Sequence, residues 1–495
     1  MLRDREVGDG RKGGGLHEDR HDGLPGGGYK DLHGDRHRSR GRTGEIAGCL
    51  FWAALGLIML AGMRKVGLGP KKAVAAGLVI AASVGIHIRR MKKTPGYVRK
   101  ILGLETGTDR GQGAGAGSVG EGRPVDCGAS GRGSAGRRKR IYEYDWLRTM
   151  AVVMVIVTHA VQMDMAEGMV PEGAASYWMT VLYVFCLSCN LIYVMLSGAL
   201  LLPYREEKLS DFYLRRLAKV ALPMLVYFVF YLWIDGELEQ IGPHTPGWIL
   251  SRFFQGDTPE SPHYWLMYVI LGLYVVVPFF RYLFKDLPYK ALTAMVLVSG
   301  ICMYLTTYSP IPCAVNPLLS SWIGVAVTGF WVTKKETRRY DKLVMAAGLL
   351  GLGITMYCIR TREDFLAVCC NCSPTMLMIA AGLFSLVFSA PKLFSKGNAV
   401  LSLLGRYSFS LILIHWIVLF FSTRVMFTIY TSQYLYIGGI LAALSVTLLA
   451  SLAAAFFIDQ LVVVTVEAVY DRVVEGGRWV VKKVGKMEVI QKRKP

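Results

Sequence analysis

Asp145-Trp-Leu-Arg148-Thr-Met-Ala-Val-Val-Met-Val-Ile-Val-Thr-His159 sets an arginine and a histidine into an otherwise apolar run. The run, near 146–163, approaches the roughly 20 residues a helix needs to cross a hydrocarbon layer of about 30 Å. Ionisable groups are costly at that depth, so each marks a candidate functional position. At about 100° per residue, eleven positions make three turns plus roughly 20°, so Arg148 and His159 share one face about 16 Å apart along the axis. A guanidinium suits phosphate groups, and an imidazole suits proton removal near neutral pH. An elongated phosphorylated carrier laid along this face would place its reactive end at His159. A satisfied interior histidine and a snorkelling arginine account for the same residues without chemistry.

Outward from this helix, apolar runs follow near 177–201, 213–234, 264–284, 290–307, 316–333, 342–358, 375–390, 402–423 and 436–464. Only helices or closed barrels satisfy their backbone groups in hydrocarbon, and continuous runs are not the alternating segments of barrel strands. The pattern predicts an all-α polytopic membrane bundle of about ten core helices, each near spanning length. If the chain before the first core helix is cytoplasmic, the inner loops hold fifteen basic residues, among them Arg205, Arg215, Arg216, Arg281, Arg338 and Lys396, and the outer loops only Arg252, Arg360, Arg362 and Arg424. That asymmetry follows the positive-inside rule and places both ends of the core in the cytoplasm, in a multi-pass protein of the cell (plasma) membrane.

The composition agrees: 53% of residues are hydrophobic, 19% are charged, and the mean hydropathy is +0.37. Residues 141–465 carry 21 Lys/Arg against 19 Asp/Glu, so most of the net charge of +20 flanks the apolar body. Residues 64–100 hold ten basic residues and no acid, and 466–495 hold eight against four. Flanking charge of this kind fits an anionic membrane face, and no recognition module points to nucleic acid. The segments read as a disordered polar tail (1–46), a possible membrane hairpin of runs 47–63 and 73–88 with basic flanks (47–100), a Gly-rich linker (101–140), the membrane domain (141–465) and a basic cytoplasmic tail (466–495). The hairpin is irregular, because both its turn (Arg64, Lys65, Lys71, Lys72) and its far end (Arg89, Arg90, Lys92, Lys93) are basic. Ten cysteines form neither a disulfide framework nor a zinc pattern. A bridge from the Cys369, Cys370 and Cys372 cluster to Cys313 requires both loops to face an oxidising compartment.

The opening helix Tyr144-Asp-Trp-Leu-Arg148…Val157-Thr-His159-Ala resembles that of the acyltransferase 3 family of integral membrane acyltransferases, and the likeness extends over about 141–464. Leu196-Ser-Gly-Ala-Leu-Leu-Leu202 is similar to that family's second-helix ending. Phe212-Tyr-Leu-Arg215-Arg216-Leu-Ala-Lys219-Val-Ala-Leu-Pro223 resembles its twin-arginine stretch. His263-Tyr-Trp265-Leu-Met-Tyr268-Val-Ile-Leu-Gly272-Leu-Tyr-Val-Val-Val-Pro278 and Gly405-Arg-Tyr-Ser408-Phe-Ser-Leu-Ile-Leu-Ile-His415 resemble its two histidine-bearing segments.

The resemblance implies transfer of an acyl group, usually acetyl from acetyl-CoA, to a hydroxyl of a cell-envelope glycan, with no metal. It makes His159 catalytic, as base or acyl acceptor, with Arg148 important for the donor. A sugar hydroxyl is a weak nucleophile, which agrees with a positioned base. Arg215 and Arg216 would bind the CoA phosphates or simply anchor the inner loop, and Lys219 stands where the family often has a third arginine. His263, Trp265 and His415 are substrate candidates; helix capping, an interfacial aromatic belt and an interhelical hydrogen bond are their structural readings. Asp145 orients Arg148 or simply favours the helix N-terminus. Some family members continue into an extracytoplasmic esterase-like domain, whereas only about thirty residues, with a net positive charge, follow the bundle here. The rival class is a transporter or flippase without covalent chemistry, which predicts inverted repeats with broken helices at matching positions. A sensor or membrane anchor on the same fold is a third reading.

Overall fold

The structure is a computed structural model. It describes residues 70–93, 141–237, 246–256, 261–308, 321–427, 436–459 and 463–476, apart from positions 167, 169, 171, 235, 238–245, 465 and 467. The Gly-rich linker, the polar tail, the first hairpin arm and Cys313 lie outside these residues.

The elements are α1 (Pro70–Lys93), α2 (Tyr142–Ala166), α3 (Ala174–Leu187), α4 (Cys189–Leu201), α5 (Leu209–Arg216), α6 (Leu222–Ile234), α7 (Pro246–Gln255), α8 (Trp265–Leu283), α9 (Tyr289–Tyr308), α10 (Trp322–Val332), α11 (Asp341–Thr361), α12 (Phe365–Cys369), α13 (Pro374–Ser389), α14 (Pro391–Phe394), α15 (Ala399–Phe427) and α16 (Tyr436–Ile458). Among the described residues there is no strand. Among the described residues, eight helical stretches are long and apolar enough to cross a membrane: α2, α3–α4, α5–α6, α8, α9, α11, α15 and α16. The chain is a polytopic helical bundle.

Two of the ten expected spans are not among these stretches. Helix α10 has 11 residues, fewer than its expected run, and α13 has the 16 of its run. An 11-residue helix rises only about 16 Å, roughly half the hydrocarbon thickness. Continuous burial of 324–332 explains why α10 still reads as an apolar run: it is enclosed by other helices rather than by lipid. Close helix crossing makes this possible. A Cβ on Gly198 of α4 would strike the backbone of Ala326, and one on Gly329 of α10 would strike the backbone of Met195. Small residues at such crossings let packing, rather than solvent exclusion, hold membrane helices together.

Two helices are interrupted. Ser188 divides α3 from α4, its hydroxyl donating to the Phe185 carbonyl at 2.7 Å, a back-bond that bends helices. Between α5 and α6 the chain forms a π turn, Leu217–Ala221, just before Pro223. Proline lacks an N–H and its ring crowds the carbonyl four residues back, here that of Lys219, so the regular ladder opens at this point.

Helix α2 is the hub, packing on α3, α4, α13, α14, α15 and α16. The basic loops meet at the end where it begins. Trp146 Nε1 donates to the Lys396 carbonyl at 3.3 Å and its ring meets Phe394, while Arg338 lies over Phe388, which also meets Tyr144. The second hairpin run is present as α1, which is not among the eight spanning stretches. It touches α16, and Lys72 Nζ donates to the Ile234 carbonyl at 3.0 Å. Ile234 ends α6 away from Arg215 and Arg216, so this lysine sits at the opposite end from the other basic clusters.

Candidate active site

At the basic end, Arg148 Nη1 lies 3.0 Å from Asp145 Oδ1, one helical turn back. Asp145 is almost fully buried, whereas Arg148 keeps 31% of its side chain exposed. Gly405 of α15 makes room for the carboxylate: a Cβ there would lie 3.2 Å from Asp145 Oδ1. The Tyr193 hydroxyl donates to the Arg148 carbonyl at 3.4 Å. Arg216 stacks against Phe212 and Tyr274, at 5.3 and 5.4 Å from the ring centroids. Tyr274 of α8 thus carries the Arg216 guanidinium of α5 on its ring.

Arg215 is exposed and pairs with Glu207 at 3.6 Å. Lys219 is exposed on the π turn. An arginine first counted only as a loop charge proves to be built into the fold. Arg281 is buried, donates from Nε to the Leu201 carbonyl at 2.5 Å, bonds Glu207 at 3.3 Å and covers Phe212. Nothing in the spacing of the α8 sequence distinguishes it, because its role depends on where α4 ends.

Eleven residues along α2, about 16 Å away, His159 meets two other histidines. The ring centroids of His159 and His415 are 5.2 Å apart, those of His263 and His415 5.0 Å, and those of His159 and His263 6.4 Å. Trp416 stands edge-on to His159 at 5.0 Å and stacks on His263 at 6.0 Å, and Tyr231 closes the far side of His263 at 5.7 Å. Four elements therefore converge: α2, α6, the turn Pro262–Tyr264 and α15.

The hydrogen bonds assign the ring nitrogens. His159 Nδ1 lies 3.1 Å from Gln162 Oε1. An amide oxygen only accepts, so Nδ1 carries the proton and Nε2 the lone pair. His263 donates from Nε2 to the Leu413 carbonyl at 3.3 Å, and His415 from Nδ1 to the carbonyls of Leu411 and Ile412 at 3.2 and 2.8 Å. Gln162 was not anticipated, although its i+3 spacing from His159 is visible in the sequence. Trp416 was likewise missed beside a residue already singled out.

Trp265 stands apart from this cluster. It is 39% exposed and packs on Trp322 at 5.5 Å. Tyr268 donates to the Phe253 carbonyl, tying α8 to α7. Asn190 sits beside the Ser188 break and accepts from Cys189 Sγ at 3.6 Å.

Among the described residues no group of three or more His, Cys, Asp or Glu is arranged to hold a metal ion. Cys369, Cys370 and Cys372 are free thiols. Burial pushes Cys369 up to about 11 and Cys370 and Cys372 up to about 12. A thiol that stays protonated is a poor nucleophile.

A family model described as an acyltransferase domain matches residues 141–456. Comparison with curated proteins and with solved structures gives no match.

Proposed function

The chain belongs to the acyltransferase 3 family and is a multi-pass integral membrane acyltransferase; from that premise we propose that it carries acetyl from acetyl-CoA to a hydroxyl of a cell-envelope glycan. The Arg148 end of the bundle faces the cytoplasm of a plasma-membrane protein, where CoA is available, and the histidines face the acceptor. Arg148 and Arg216 hold the CoA phosphates beside Tyr274, and Arg215 and Lys219 add positive charge at the entrance. The pantetheine arm then follows α2 toward His159.

His159 Nε2 takes the proton of the acceptor hydroxyl as its oxygen attacks the thioester carbonyl carbon. The carbon–sulfur bond breaks, and the imidazolium returns the proton to the departing CoA thiolate. Gln162 holds the ring in the tautomer this needs, since a base must present a lone pair to the hydroxyl. The reading rests chiefly on one observation: helix α2 carries Arg148, paired with Asp145, at its basic end and, eleven residues on, His159 against the His415 ring.

The test is transfer of radiolabelled acetyl from acetyl-CoA to glycan in membranes containing the full chain. Wild type labels the glycan, and His159→Ala, inserted at the same level, lowers the rate by about a thousandfold, the scale of a lost general base. Full transfer by His159→Ala would remove the mechanism. Glycan export without label would favour the transporter reading.

A further inference from the structure

His263 and His415 are 4% and 0% exposed, and each leaves one ring nitrogen without a protein partner: Nδ1 of His263 and Nε2 of His415. The other nitrogen of each ring already donates to a backbone carbonyl. Both orphan atoms are therefore lone-pair acceptors, and what each lacks is a donor. Burying a polar atom without a partner is costly, so such an atom calls for an explanation. His415 Nδ1 bonds back to its own helix, so Nε2, across the ring, projects away from α15. The rings met there are those of His159 and His263. Three imidazoles, two of them with an unpartnered buried nitrogen, thus share one cluster, with the Trp416 ring as an apolar wall.

We infer that His263 Nδ1 and His415 Nε2 accept hydrogen bonds from hydroxyls of the acceptor next to the one that reacts, making the acceptor a polyol read by its neighbouring O–H groups. This deepens, and rests on, the acyl-transfer reading. A lone pair rewards a hydroxyl and rejects its deoxy or O-methyl counterpart, because then a buried acceptor stays unpaired. The two histidines select and orient the acceptor; His159 alone moves the proton.

The test uses the full chain in membranes, radiolabelled acetyl-CoA, and glycan from the same cells stripped of its base-labile acetyl by mild alkali. His263→Leu and His415→Leu each raise the KM for this stripped glycan about tenfold, the scale of one lost buried hydrogen bond, and leave the KM for acetyl-CoA unchanged. His263→Gln and His415→Gln, which restore an acceptor oxygen, stay within about threefold of wild type. A wild-type glycan KM in both Leu variants would overturn the inference. So would Gln variants impaired as deeply as the Leu variants, since that is the signature of packing alone. If wild type leaves the stripped glycan unlabelled, the acyl-transfer reading fails and takes this inference with it. That failure is told apart because it precedes any comparison of variants.

Discussion

At the start of α2 an acid and a base lie 3.0 Å apart, and a further cation, Arg216, stacks on Phe212 and Tyr274. Eleven residues on, three imidazoles cluster, and among the described residues the oxygens they bond are all carbonyl oxygens. The basic end arranges charge against charge and leaves Arg148 partly open. The histidine end sets its rings against carbonyl oxygens and buries two of the three. An anionic carrier arriving from water needs the first arrangement. A neutral hydroxyl that must give up a proton needs the second, since a carboxylate there would fix an imidazolium before substrate arrived.

Breaking the basic end gives the largest expected effect after loss of His159. Arg148→Ala should raise the KM for acetyl-CoA about 30-fold, roughly 2 kcal/mol, with a smaller change in kcat. Arg148→Lys should recover only part of it, because an ammonium cannot bind phosphate bidentately. Acetyl-CoA titrations on both variants check this. An unchanged KM with a collapsed kcat would move Arg148 from donor binding into the chemical step.

Gln162→Leu separates the two ends in the opposite sense. Losing the oxygen opposite Nδ1 frees the ring to rotate or change tautomer, and kcat should fall about tenfold while the KM for acetyl-CoA holds. Gln162→Glu keeps an acceptor oxygen and should retain more activity than Leu. Equal loss in both variants would show that the side chain acts by packing.

Much of this architecture is legible in the chain, and the parts that are not share a cause. Hydrocarbon dictates long apolar runs, so the helices around 146–163 and 436–464 announce themselves. Helix α10 obeys a different constraint, because a segment walled by α4 and its Gly198 need not span the layer. Helical periodicity puts Arg148 and His159 on one face, and the same arithmetic reaches Gln162. It stops at a single helix. That His263 from a 3-10 turn and His415 from α15 come within 5.0 Å is a property of tertiary packing that no local spacing encodes. Trp265, beside His263 in sequence, is turned away by its contact with Trp322.

Gly405→Ala tests whether the basic end depends on close packing as well as charge. The added carbon would sit 3.2 Å from Asp145 Oδ1 and 3.3 Å from its Cβ, tighter than ordinary contact. A displacement of a few tenths of an ångström, passed through Asp145 to Arg148, should raise the KM for acetyl-CoA about threefold. The glycan KM should not change, because His159 lies about 16 Å away. A matching rise in both constants would mean that the substitution loosens α2 as a whole.

The smallest expected effect comes from another arginine–aspartate pair, Arg362–Asp364. Arg362 Nε lies 2.8 Å from Asp364 Oδ1 and Nη2 lies 2.9 Å from Oδ2, a two-pronged contact shorter than that of Arg148. The pair raises the guanidinium and lowers the carboxyl relative to their ordinary values, mainly through the shared hydrogen bonds. With the carboxyl lowered, any stabilisation is present above its ordinary range and fades only as the pH falls through the lowered value. Both side chains are about half exposed, and water screens such pairs nearly to nothing. Arg362→Ala should therefore leave both KM values and the thermal midpoint at neutral pH unchanged. Geometry alone ranks this pair above Asp145–Arg148; burial and placement on α2 reverse the ranking. A measurable rise in the acetyl-CoA KM from Arg362→Ala would mean that diffuse positive charge, rather than the built site around Arg148, draws in the donor.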